Sequence, residues 1–99
     1  MSELVSAIIR AIAEDRRPGS SLFVLTAEQS NLETQVQRGD LVVYAQMTPQ
    51  AGEAVVWSGP TGPAQFGRAA RSGQVRAGGR WHRPARLRGV VIAIVTPLT

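Results

Sequence analysis

The chain has 99 residues, 43% of them hydrophobic, with no cysteine and a single histidine, His82. That length holds one globular domain, and the missing thiols exclude disulfides, thiolate chemistry and cysteine-based zinc sites. The net charge of +4 conceals a division: residues 1–53 carry all seven acids and four arginines, whereas residues 54–99 carry seven arginines and no acid.

Ser2 to Arg17 reads as an amphipathic helix, with Leu4, Val5, Ile8, Ile9 and Ile12 on one stripe. Ser2 suits the N-cap, Glu3 the first turn, and Arg16 and Arg17 the C-terminal end. Pro18-Gly19 ends it. The stripe packs either on its own domain or on a second subunit.

From Ser21 the apolar period becomes that of strands. Ser21 to Thr26 reads as the first, and Ala27 to Gln37 as a turn of helix or a packed loop. Arg38-Gly39-Asp40 is a turn, Leu41 to Ala45 a strand, Met47 to Gly52 another turn, and Glu53 to Trp57 a further strand. The last two strands are expected to pair as a hairpin. Gly59 to Pro63 breaks the chain, and Ala64 to Ala70 is a short strand. Gly78-Gly79 suits a hairpin tip, and Gly89 to Thr96 is a closing apolar strand. The expected fold is mainly β: a small rolled sheet or β-sandwich of about six short strands in residues 20–99, preceded by an N-terminal helix and arm in residues 1–19.

The longest apolar run, Val90 to Val95, is far too short for a membrane helix, which needs about 20 residues. With no signal peptide evident and no cysteine, the expected location is the cytoplasm. One histidine gives no basis for a protein-built metal site, and no cofactor is expected.

Arg68, Arg71, Arg76, Arg80, Arg83, Arg86 and Arg88 form a spaced basic series around Trp81 and His82. It is either a solvated surface or a binding patch. Arginine grips phosphate and stacks on bases, so the partner would be a nucleic acid or an acidic protein. Asp40 and Glu53 each follow a glycine at a strand start, where a turn-capping role suffices.

Several pieces occur together in a meaningful order. After the strand Leu22-Phe23-Val24-Leu25, Ser30 stands nine residues before Gly39-Asp40, which opens Leu41-Val42-Val43-Tyr44. Gly52-Glu53 follows thirteen residues after Gly39 and opens Ala54-Val55-Val56-Trp57, and Gly89 to Val95 closes the chain. Over residues 20–58 and 87–97 this resembles the C-terminal domain of LexA-type repressors and UmuD-type polymerase accessory proteins, the S24 peptidase-like β fold. In that family the serine lies in Gly-x-Ser-Met and works with a lysine.

The resemblance places Ser30 at the nucleophile position, yet Gln29 and Asn31 flank it and Phe66, Gly67 or Arg68 stands where the lysine falls. All eleven basic residues are arginines. Guanidinium stays protonated and cannot take the serine proton. The arm Arg17-Pro18-Gly19-Ser20 also lacks the small-residue pair that family members cleave.

The resemblance therefore implies a pseudo-enzyme acting by protein association, in repressor or DNA-damage (SOS) regulation. It implies a homodimer as well, with Val90, Val91, Ile92 and Ile94 of the closing strand as its seam. Two alternatives stand beside this: a nucleic-acid-binding module built on the arginine-rich half, and a residual self-cleaving peptidase in which His82 serves Ser30.

Overall fold

A computed structural model describes residues 21–97. The expected helix at Ser2 to Arg17 and its arm lie outside the described residues. Within them the chain is mainly β, with seven strands in one antiparallel sheet and no helix. No described helix is long and apolar enough to cross a membrane. The strands are β1 (Leu22–Thr26), β2 (Leu41–Ala45), β3 (Ala54–Ser58), β4 (Gln65–Ala69), β5 (Val75–Ala77), β6 (Arg80–His82) and β7 (Arg86–Val95). Their spatial order is β1-β2-β7-β3-β4-β5-β6.

The expected pairing of β2 with β3 does not occur: β7 lies between them. Its ten residues serve two neighbours in succession, Arg86 to Val90 along β3 and Val90 to Val95 along β2. Each contact carries a bulge. Val43 faces Ala93 but Tyr44 faces Val91, so Ile92 is the extra residue; Val56 faces Gly89 but Trp57 faces Leu87, so Arg88 is the other. Bulges raise local twist and re-aim side chains. Two in one central strand let it turn from one partner to the next.

Alternation along the strands fills both faces of the sheet. On one side Val42, Val56 and Phe66 pack together, covered by Ala27 and Val36 of the loop after β1. On the other, Val55, Trp57, Val75 and Val90 form a second cluster. The sheet curls at its β6 end, for the His82 ring lies 5.0 Å from that of Trp57 on β3 although β4 and β5 intervene in the sheet order. Gly67 permits the curl. A Cβ there would sit 2.4 Å from Val75 Cγ1 and 2.6 Å from the Arg76 carbonyl oxygen.

The turns before β2 and β3 use one device. The Gln37 N–H donates to Asp40 Oδ2 at 2.9 Å, and the Gln50 N–H to Glu53 Oε1 at 2.7 Å. Both carboxylates thus satisfy turn amides, as expected of acids in such sequences.

Candidate functional site

The loop between β1 and β2 is built around Asn31. Its Oδ1 accepts from the Thr34 N–H at 3.0 Å and the Thr34 hydroxyl at 2.7 Å, while its Nδ2 donates to the Phe66 carbonyl at 3.1 Å. An Asn–backbone turn of this kind fixes a loop that the apolar pattern alone leaves undefined. Its consequence is to hold Ser30 over the start of β4. Ser30 and His82 line one cleft of about 310 Å³, together with Asn31, Gln65, Phe66 and Arg80.

Sharing a cleft does not make Ser30 and His82 a catalytic pair. The Ser30 hydroxyl oxygen accepts from the Arg38 N–H at 3.2 Å. His82 Nε2 lies 3.1 Å from the Ala77 carbonyl oxygen. A carbonyl only accepts, so Nε2 is the protonated nitrogen in that contact. Among the described residues, no hydrogen bond joins Ser30 to His82. The other polar side chains lining that cleft are Gln29, Asn31, Gln65 and Arg80, and none is a proton acceptor of the required basicity.

The seven arginines do not make one patch. Arg68 is exposed but its guanidinium is engaged by backbone: its Nε donates to the Glu33 carbonyl at 2.8 Å and one terminal nitrogen to the Gly52 carbonyl at 2.9 Å. Arg76 and Trp81 face each other across β5 and β6, with the guanidinium 5.8 Å from the ring centroid. Trp81 is 56% exposed, so this cation–π pair is presented to solvent. Arg80 opens β6 beside the Gly78-Gly79 tip, whose two glycines hold φ of 61° and 74°, the left-handed conformation that a tight hairpin turn requires. Arg71 lies in the β4–β5 turn and Arg83 in the β6–β7 link, both exposed.

Arg86 and Arg88 lie elsewhere, on β7, where they share a corner with Phe23, Tyr44 and Gln46. Of the apolar β7 series, Val90 and Ile92 are buried within the chain, Val91 packs against the first cluster, and Ile94 is exposed.

Sequence reasoning missed Glu33. Its Oε1 accepts from the Gly79 N–H at 2.8 Å, and Oε2 from Asn31 Nδ2 at 3.2 Å. It therefore joins the β1–β2 loop to the hairpin tip, and its partner Asn31 lines the cleft. The Gly79 amide and Glu33's own amide hold the Glu33 carboxyl below the ordinary carboxylate range against an opposing effect of desolvation, with lesser help from the Gly78 amide and the Arg76 charge. No local motif marks such a residue, because its partner is 46 positions away.

No family model, curated protein or solved structure matches the chain.

Proposed function

We propose that this chain is a non-catalytic binding domain that associates with an anionic macromolecule through its arginine-bearing half. One observation carries the reading: Arg76 and Trp81 stand paired and exposed on the β5–β6 hairpin, with Arg80 at the hairpin's tip. The sequence from residue 54 onward contains no acid, and Glu33 of the β1–β2 loop is a carboxylate that does feel the Arg76 charge. A rigid strand pair presenting guanidinium beside an indole face offers both charge and stacking.

Anisotropy of a labelled single-stranded oligonucleotide and of a labelled glutamate-rich peptide, titrated with the protein, tests it. Binding should weaken steeply between about 50 and 200 mM salt. Failure to bind either probe at low salt would remove the reading.

A second reading retains the resemblance to the LexA/UmuD-type domain and its homodimer. It is favoured by the strands that open directly after Asp40 and Glu53 and by the long closing strand β7. Phe23 and Val24 on β1 and Ile94 on β7 are exposed apolar groups suited to contact between copies. Sedimentation velocity over a range of concentrations tests it, and a strict monomer would count against it.

A further inference from the structure

Among the described residues two buried side-chain donors lack a hydrogen-bond partner, Trp57 Nε1 and Arg88 Nε, and only the second belongs to a charged group. Arg88 is the extra residue of the β3–β7 bulge, so no β3 residue stands opposite it. Its Nε is buried and has no hydrogen-bond partner. An arginine keeps its charge at any accessible pH, and a buried donor left without an acceptor is costly. A ligand cannot reach so closed an atom without displacing its cover, so what Arg88 offers the cleft beside it is its fixed charge.

The surroundings describe the ligand that suits this charge. Arg88 lines a narrow cleft of about 90 Å³ together with Phe23, Tyr44, Gln46 and Arg86. The lining combines two guanidinium groups, a phenol and a carboxamide, and no acid among the described residues of that wall. The Phe23 and Tyr44 rings stack beside it with centroids 5.5 Å apart, and Phe23 is 44% exposed. Two guanidiniums in so small a space match one tetrahedral oxyanion, and the adjacent aromatic face matches a flat group attached to it. A side-chain carboxylate would leave the ring face unused.

We propose that Arg88 and Arg86 hold a phosphate of single-stranded nucleic acid, with a neighbouring base stacked on Phe23. The proposal rests on the anionic-partner reading above and names the partner's chemistry. It places a second contact point on the β1–β2–β7 side of the sheet, apart from the Arg76–Trp81 pair on the hairpin.

The test uses full-length protein, wild type and the variants Arg88→Met, Arg86→Ala and Trp81→Ala. Its probes are a short single-stranded oligonucleotide, a nucleoside monophosphate, inorganic phosphate and a glutamate-rich peptide. Arg88→Met and Arg86→Ala should each weaken oligonucleotide binding about tenfold. In wild type the monophosphate should compete better than inorganic phosphate, because only it has a base to stack.

Arg88→Met should also raise the melting temperature, since it removes an unsatisfied buried donor. A purely structural arginine predicts the reverse. Unchanged oligonucleotide binding in both β7 variants, with Trp81→Ala impaired, would overturn this site and leave the anionic-partner reading standing. Equal binding of the glutamate-rich peptide, equally sensitive to Arg88→Met, would overturn the phosphate assignment. Wild type binding none of the probes at low salt would sink both.

Discussion

Glu33 accepts a hydrogen bond from the backbone N–H of Gly79, 46 residues further along the chain, and so fastens the β1–β2 loop to the tip of the β5–β6 hairpin. The Arg68 guanidinium, bonded to the Glu33 carbonyl oxygen, secures the same loop from β4. The loop that carries Ser30 is therefore held by two long-range polar ties as well as by Ala27 and Val36 in the first apolar cluster.

The Glu33 tie makes stability depend on pH in a defined direction. Its carboxyl is held below the ordinary range in the folded chain, so the unfolded chain binds the proton at higher pH. The stabilisation is complete above the unfolded value and fades as pH falls through the folded one. Glu33→Gln keeps an acceptor oxygen but removes the charge. Urea midpoints should show the variant less stable than wild type at neutral pH, with the gap closing below the carboxylate range. A gap that stays constant across that window would show that the charge plays no part.

Much of the strand content is legible from the residues, and the reason is local. Leu41 to Ala45 is an apolar run bounded by Asp40 and Gln46, and β2 occupies those five residues. Gly78-Gly79 forms the hairpin tip that its composition indicates. The order of strands is another matter. Pattern and short spacing favour a β2–β3 hairpin, but nothing local reports that β7 is long enough to serve both strands. The sites divide in the same way. Arg68 reads as part of a basic series, whereas two of its donors are engaged by carbonyls 35 and 16 residues away. Arg88 is set apart only by a bulge, which depends on the register of a distant pair.

Gly89 should be intolerant of any side chain. A Cβ there would sit 2.5 Å from the Ala45 carbonyl oxygen and 2.9 Å from Tyr44 Cδ2. The first of these is backbone of the paired β2 strand, which cannot rotate away. Overpacking of this kind costs about 1–3 kcal/mol. For a domain of this size that lowers the melting temperature by roughly 5–20 °C. Thermal unfolding of Gly89→Ala, followed by near-ultraviolet circular dichroism, measures it. A melting temperature equal to that of wild type would mean that β2 and β7 lie further apart than described.

Trp81→Ala separates surface recognition from folding. The ring is more than half exposed, and its described ring partner is Arg76, so stability should change by about 0.5 kcal/mol or less. Binding to a single-stranded oligonucleotide should weaken by about 1–3 kcal/mol if one base stacks on the indole. Arg76→Gln should weaken binding and reduce its salt dependence, because it deletes a charge and leaves the ring. Quenching of the exposed tryptophan on titration supplies an independent readout. Lost stability matching the lost affinity would assign Trp81 to the fold instead.

Ser30→Ala decides whether the hydroxyl does chemistry. In the described structure that oxygen serves as acceptor for the Arg38 N–H, and both residues are exposed. Water can replace the lost acceptor at such a position, so the expected stability change is within about 0.5 kcal/mol. A self-processing serine would need a neutral base to receive its proton, and the one imidazole of the chain places a protonated nitrogen on the Ala77 carbonyl. Its other ring nitrogen could accept, but it shares no hydrogen bond with Ser30 among the described residues. Prolonged incubation at alkaline pH followed by intact-mass measurement should therefore give one uncleaved species for wild type and variant alike. Fragments from wild type that vanish in Ser30→Ala would mean that His82 swings from Ala77 to the serine, restoring the proton transfer that this arrangement withholds.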